Sequence, residues 1–288
     1  MNTPDSTSLR EPLAPPARPR FIRRHTVTVR VTHWINVLCL SILLLSGLQI
    51  FNAHPRLYWG KYGADADHAF IAVESRKDED GLRGFLRIGP LSLETTGILG
   101  VSNEGDAPTA RAFPTWLTIP SYHDLGAGRN WHFLFAWLLV VNGLVYLAHG
   151  VWRGHIRRDL LPDRDQLAPR HLWREMVDHA RLRFARGEAA RRYNALQKLT
   201  YLLVALGLLP LMVLTGLTMS PGLNAVFPFL PDLFGGRPSA RTLHFITASL
   251  LVLFVGVHVA MVVLSGFWNN LRSMVNGRYA LDDSGDAT

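Results

Sequence analysis

The stretch Leu243-His-Phe-Ile-Thr-Ala-Ser-Leu-Leu-Val-Leu-Phe-Val-Gly-Val-His-Val-Ala-Met-Val-Val-Leu264 decides the reading of this chain. It contains no Asp, Glu, Lys or Arg, and it is as long as a helix must be to cross a hydrocarbon core about 30 Å thick. Within it, His244 and His258 are fourteen residues apart. At about 100° per residue the second histidine falls only some 40° from the first, so both share one helix face. With a rise of about 1.5 Å per residue they stand roughly 21 Å apart along the axis, near opposite edges of the core. An imidazole in a membrane span is costly and needs a partner that satisfies it. Two of them, on one face at two depths, call for two buried groups to bind.

Three further blocks, Val31–Phe51, Trp131–Val151 and Leu199–Met219, are equally long, apolar and free of charge. The 288 residues are 48% hydrophobic and 18% charged, against about 25% charged in soluble domains. The expected fold is therefore an all-α membrane protein, a four-transmembrane-helix bundle with a sizeable extracytoplasmic loop between helices 1 and 2. Gly and Pro inside the blocks, such as Gly207 and Pro210, are tolerated in membrane helices. Residues 1–29 read as a disordered cytoplasmic arm, 30–275 as the four-helix domain and 276–288 as a tail. Met1–Phe21 is rich in Pro, Ser and Arg without an apolar core, so it does not read as a cleavable signal peptide. The first span then serves as its own insertion signal. No internal repeat is evident beyond the four similar spans.

Charge sets the orientation. Residues 1–30 carry six Arg against two acids, and residues 152–198 carry twelve Lys/Arg against six acids. The 52–129 loop has eight basic and ten acidic residues, and the 220–242 loop only Arg237 and Arg241 against Asp232. The positive-inside rule places both termini and the 152–198 loop in the cytoplasm, with the other two loops outside. The net charge of +8 then lies beside anionic headgroups and is no argument for nucleic acid. In the cytoplasmic loop, Leu172, Trp173, Met176, Val177, Ala180 and Phe184 recur at helical spacing among charges, the pattern of an amphipathic helix in the headgroup region. The 52–129 loop is too long for a connector. It is expected to form an ordered cap with a helix or two and irregular segments, where an extracytoplasmic partner could dock.

Cys39 is the single cysteine, which excludes iron–sulfur ligation and covalent haem attachment through Cys-x-x-Cys-His. Of twelve histidines, five lie in or beside the spans. With the first span running outward and the second and fourth inward, His132 and His244 share the outer level, and His33 and His258 share the inner one. His149 lies about 25 Å below His132 and about 100° around the helix, so it reads as a residue beside the inner haem or in a quinone pocket, with Asn194 and Gln197 close by at the span ends. Gly47 is fourteen residues from His33 and Gly143 eleven from His132. Each of these helices would present a ligand at one level and bare backbone at the other, where a flat macrocycle needs space. Ordinary helix packing accounts for either glycine taken singly. Four histidines in two depth-matched pairs, with no carboxylate in the spans, point to two haem b groups with iron held by histidine alone. Such iron has no open position, which favours electron transfer over oxygen chemistry.

These residues resemble a known family. Arg30-Val-Thr-His-Trp-Ile-Asn36 followed by Leu44-Leu-Ser-Gly47 is similar to the first span of bacterial di-haem, b561-like cytochromes b. These are the membrane subunits of nickel–iron hydrogenases, formate dehydrogenases and thiosulfate reductases. Arg241-Thr-Leu-His244 through Val257-His258 is similar to the fourth span. Trp131-His-Phe-Leu-Phe-Ala-Trp137 resembles the second, and Leu196-Gln-Lys-Leu-Thr-Tyr201 through Leu214-Thr-Gly-Leu-Thr-Met219 the third. The resemblance implies His33, His132, His244 and His258 as axial haem ligands, quinone as exchangeable substrate, and a periplasmic oxidoreductase subunit as partner. The long 52–129 loop is more similar to the subgroup that accompanies exported molybdopterin oxidoreductases of sulfite-oxidase type.

Two other functions compete on the sequence. A histidine-based metal or proton transporter would be expected to carry acids or broken helices near midplane, and these spans contain no acid. A haem-free anchor leaves the four-histidine pairing without a purpose. The orientation is directly testable: a reporter fused after Thr288 is expected to be active only in its cytoplasmic form. Activity of a periplasm-dependent reporter there would overturn the topology, and the depth pairing with it.

Overall fold

The computed structural model describes residues 20–63, 67–79, 81–104, 107–154, 156–181, 183 and 194–281. In chain order it contains β1 (Arg20–Arg23), α1 (Val27–Phe51), β2 (Arg56–Leu57), β3 (Ile71–Asp78), β4 (Gly81–Ile88), β5 (Leu91–Glu94), β6 (Val101–Glu104), β7 (Ala107–Ala110) and α2 (Leu125–Trp152). After these come α3 (Pro169–Ala180), α4 (Ala195–Leu202), α5 (Leu209–Thr218), α6 (Pro221–Val226), α7 (Leu230–Leu233), α8 (Arg237–Leu264), α9 (Phe267–Val275) and β8 (Arg278–Leu281). Four helical segments are long and apolar enough to cross a membrane: Val27–Phe51, Leu125–Trp152, Ala195–Thr218 and Arg237–Leu264.

Each span ends within a residue of its apolar block but starts four to six residues earlier, because a helix starts where its first N–H groups find acceptors. Thr26 accepts from Val29 N at 3.3 Å, and Asp124 accepts from Ala127 N at 2.9 Å. Asn194 and Gln197 form a reciprocal capping box at α4. Such caps are worth about 0.5–2 kcal/mol each. The third span is interrupted by a π-helical stretch, Leu203–Leu208, in which Leu209 N donates to Val204 O. Pro210, with no N–H to give and a ring that crowds the carbonyl a turn back, explains the widened turn.

The α1–α2 insertion corrects the all-α expectation and the expectation of a helical cap. It is built of strands: a four-stranded antiparallel sheet in the order β2-β3-β4-β5 and a separate β6–β7 hairpin. The overlooked signals are the apolar run Ile71-Ala-Val73, the apolar and charged mixture of Phe85–Ile88, and Gly81 at φ +131°, which opens β4 opposite Asp78. Together these are a hairpin signature. Gly84 and Gly100 make the fold of this insertion possible. A Cβ at Gly84 would lie 2.1 Å from Leu99 O, and one at Gly100, where φ is +85°, would lie 2.8 Å from the Gly84 Cα. The 95–100 turn therefore crosses the sheet with its backbone in contact.

The insertion is fastened to the helix ends by buried hydrogen bonds. Arg111, 4% exposed, donates to Gln49 Oε1 at 2.8 Å and Thr118 Oγ1 at 2.7 Å. Thr242 of α8 donates to Tyr58 O at 2.7 Å, and Gly60 N donates to Ser239 Oγ at 2.8 Å. At the opposite end, β1 pairs with β8, Arg24 N donates to Gly277 O at 3.0 Å, and the Arg272 guanidinium lies over the Phe21 ring. Residues 20–29 are thus part of the fold rather than of a disordered arm. Strand pairing with the chain's other end supplies the order that composition alone did not suggest. Residues 1–19 and 282–288 lie outside the described residues, as does Phe184, while α3 occupies the rest of the predicted amphipathic segment.

Replacing Gly84 by Ala forces backbone apart and is expected to destabilise the insertion by about 1–3 kcal/mol, the usual cost of overpacking. Limited proteolysis of purified protein checks this. Faster cleavage within 52–124, with the helices intact, is the expected result.

Candidate functional site

In the bundle, α1 runs along α2 and the third span runs along α8. Between these two pairs the backbones stay more than 8 Å apart, Cα to Cα, at nearly all positions. The inner faces therefore leave a space between the pairs, and the four histidines project into it from α1, α2 and α8.

The His132 and His244 rings lie 6.3 Å apart, centre to centre, at the end of the bundle closed by the β insertion. The His33 and His258 rings also lie 6.3 Å apart, at the end closed by β1 and β8. Imidazole nitrogens bind first-row metals at about 2.0–2.1 Å, so two imidazoles sharing one ion across it have ring centres roughly 6.3 Å apart. Direct imidazole stacking or hydrogen bonding would bring them closer. The spacing and the donor set fit iron held between two ring nitrogens, and the space between the helix pairs suits a flat ligand edge-on to the membrane.

At the His132/His244 end the other ring nitrogen is fixed. His132 Nδ1 is 3.1 Å from Ser46 Oγ, and His244 Nδ1 is 3.0 Å from Thr215 Oγ1. Each hydroxyl donates its own proton to a carbonyl a turn back, Ser46 to Ile42 O at 2.7 Å and Thr215 to Leu211 O at 2.7 Å. The hydroxyl oxygens are therefore left to accept from Nδ1–H, with the carbonyls of Leu43 and Met212 also within reach. That fixes the tautomer and leaves Nε2 as the free lone pair. Both hydroxyls are fully buried. The adjacent glycines make room: a Cβ at Gly47 would come 3.3 Å from His132 Cε1, and one at Gly216 would come 3.4 Å from His244 Cε1. The His132 ring thus lies against the bare backbone at Gly47. At Gly143 a Cβ would meet nothing within 4 Å, so the backbone there borders open space.

This arrangement repeats between the two helix pairs. Leu45-Ser-Gly-Leu48 on α1 corresponds to Leu214-Thr-Gly-Leu217 on α5, and Arg129-Asn-Trp-His132 on α2 to Arg241-Thr-Leu-His244 on α8. A hydroxyl beside glycine in one span and Arg-x-x-His in the next is the signal that reveals Ser46, Thr215 and Gly216. The other end lacks the repeat. Fourteen residues from His132 stands Tyr146 where α8 has His258, and thirteen before Thr215 stands Leu202 where α1 has His33. Among the described residues, the His33/His258 pair has ring neighbours instead of hydroxyl acceptors. Trp34 is edge-on to His33 at 5.6 Å, and Phe254 is stacked on His258 at 5.8 Å.

The remaining sequence candidates separate. His149 is half-buried near the end of α2 and borders an open cavity of about 460 Å³ with Trp152 and Arg153. The two neighbouring amides are committed elsewhere: Asn194 and Gln197 cap α4, and Asn194 Nδ2 also lies 3.2 Å from His179 Nε2. They form no polar pocket with His149. Near the other end, the His54 ring stacks on Tyr58 at 5.7 Å. Burial, and then the Arg241 and Arg56 guanidinium groups, hold its imidazole below the ordinary value and therefore neutral.

A family model described as prokaryotic cytochrome b561 matches residues 24–277, which takes in all four spans and the β insertion. A relative from Azospira oryzae named "Putative protein-methionine-sulfoxide reductase subunit YedZ1" is 30% identical over 240 residues, covering 83% of this chain and 90% of its own length.

Because an Nδ1–H donated to oxygen makes imidazole a stronger donor to metal, Thr215→Val is expected to weaken haem retention at the His132/His244 pair about 10–100-fold and to raise its midpoint potential. The His33/His258 centre should not change. Redox titration of the visible spectrum checks this; an unshifted wave would show that the Thr215 contact does not tune the site.

Proposed function

We propose that the chain, which belongs to the prokaryotic cytochrome b561 family, is the membrane electron-transfer subunit of an oxidoreductase complex. It connects the quinone pool with an extracytoplasmic partner through two haem b groups, each held by two histidines. The observation that carries this reading is the 6.3 Å separation of both histidine pairs. Haem b, when bound, supplies a one-electron ferric/ferrous couple. His132 and His244 would hold one iron and His33 and His258 the other, each iron being bound by two ring nitrogens. That excludes oxygen from the metal and favours electron transfer.

The residues around the pairs support the same use. Ser46 and Thr215 pre-orient two of the four rings, so little rearrangement accompanies a change of charge at the metal. The β insertion covers the His132/His244 end and is hydrogen-bonded to α1 and α8. A rigid cap at that end gives a partner a fixed surface close to the outer centre. The charge distribution supports placing this end outside and the β1–β8 end in the cytoplasm. The relative from Azospira oryzae bears the name of a reductase subunit. By analogy the electrons here run from quinol outward to a reductase, and the resemblance read from the sequence favours a molybdopterin-dependent partner.

His244→Ala is expected to lose the outer haem and His258→Ala the inner one, each leaving about half of the wild-type pyridine-haemochrome signal, as one site of two predicts. Full haem content in either variant would sink the ligand assignment. Purified wild type lacking reduced-minus-oxidised b-type bands would sink the function.

A further inference from the structure

An arginine stands three residues before the histidine in each of the two spans that supply the capped end: Arg129 before His132 on α2, and Arg241 before His244 on α8. Iron ligation uses the histidines and leaves the arginines unexplained. Three residues of helix amount to a rise of about 4.5 Å and a turn that returns to within about 60° of the same face. Long helical side chains also lean toward the N-terminus, which in both spans is the capped end. The two guanidinium groups therefore belong to the outer rim of the His132/His244 level.

Arg241 is half-buried and reaches from α8 to α1. Its guanidinium lies over the Phe51 ring at 5.3 Å and donates to the His54 carbonyl. Phe51 is four residues beyond Gly47, one turn outward of the backbone that the His132 ring touches. A side chain of α8 thus spans the gap between the helix pairs just outside the facing imidazoles. Among the described residues no carboxylate stands within ion-pair distance of it. A carbonyl and an aromatic face answer only part of a charge that is costly to bury. Guanidinium has five N–H donors, and those not given to His54 O remain accessible. Arg111, the other guanidinium buried at this end, differs: Phe113 O at 3.0 Å, Gln49 Oε1 at 2.8 Å and Thr118 Oγ1 at 2.7 Å accept from it. At the opposite level Arg30 stands three residues before His33, but it is turned to Val275 O and its Nε is enclosed. The open guanidinium belongs to the outer level.

The fork of a guanidinium matches a carboxylate, and haem b carries its two carboxylates, the propionates, along one edge. We propose that Arg241 anchors a propionate of the outer haem and that Arg129, in the corresponding place of the repeat, takes the other. The macrocycle then sits with its carboxylate edge toward the β insertion. Arg129 is exposed, with its guanidinium over the Phe133 ring at 5.7 Å, so it can turn to a carboxylate without breaking a hydrogen bond. The proposal rests on the electron-transfer reading above and adds to it the orientation of the outer haem. A cation paired with the propionate offsets negative charge beside the iron and so favours the ferrous form.

The test uses the full-length protein in phosphatidylcholine nanodiscs, loaded either with haem b or with its dimethyl ester, whose carboxylates are capped and uncharged. Excess apomyoglobin serves as acceptor for released macrocycle, and the outer centre is the one that His244→Ala lacks. In the wild type the ester is expected to leave the outer centre about tenfold faster than haem b, the loss of one charge-assisted contact. Arg241→Gln loaded with haem b should show the same acceleration and a lower outer midpoint potential, with the inner wave unmoved. In Arg241→Gln the ester should leave no faster than haem b, because the contact is already gone. Independent, additive effects of ester and substitution would overturn the proposal and mark Arg241 as a fastener of the insertion or a ligand of lipid phosphate. An ester that stays in the wild type as long as haem b would also overturn it, and that comparison needs no variant to fold. A wild type that takes up neither macrocycle is a separate result; it overturns the electron-transfer reading itself, and this site with it.

Discussion

A neutral imidazole in an apolar medium must be satisfied at both nitrogens, and this requirement shapes the molecule from one end to the other. Four histidines enter the space between two helix pairs. In each facing couple the rings stop 6.3 Å apart, too far to satisfy one another. At the capped end, one nitrogen of each ring is answered by a buried hydroxyl. That leaves the second nitrogen of each ring with a free lone pair. Gly47 and Gly216 let an imidazole pass close to the neighbouring backbone. The hydrogen bonds that tie the insertion to α8 and the strand pair at the opposite end hold the helix pairs at the distance the rings require.

The two levels are built differently. The capped level repeats itself: hydroxyl, glycine, arginine and histidine recur in matching places on the two helix pairs, so both of its rings are fixed in the same way. The other level departs from the repeat, drawing its histidines from α1 and α8 and facing them with Trp34 and Phe254. A level held by hydroxyls has a firmly set donor strength. A level flanked by aromatic rings has no such hydroxyl to set its donor strength. In the proposed function these are the outlet and the inlet of one electron path.

The spans and the histidine pairing were legible in the sequence because both follow from helical periodicity and from the absence of charge. Fourteen residues between His244 and His258 fix a shared face and two depths without any knowledge of neighbours. The helix starts were missed because capping by Thr26, Asp124 and Asn194 is local polar chemistry that a hydropathy block does not register. The strands of the insertion were missed because they are only half-buried, with charged residues on the solvent side, and because the close approach of Gly84 and Gly100 is a contact between segments distant in sequence. Asn194 and Gln197 were read as a quinone-binding polar group, whereas helix capping uses both. Ser46 and Thr215 left a sequence trace, but it becomes readable only when α1 is set against α5.

The central claim is that each chain holds two irons, each with histidine on both sides. Low-temperature electron paramagnetic resonance of the oxidised, purified protein tests it most directly, because iron with two strong axial nitrogens is low-spin and iron with an open position is not. The account predicts low-spin ferric signals integrating to two spins per chain. A high-spin ferric signal, or one spin per chain in fully loaded protein, would contradict it.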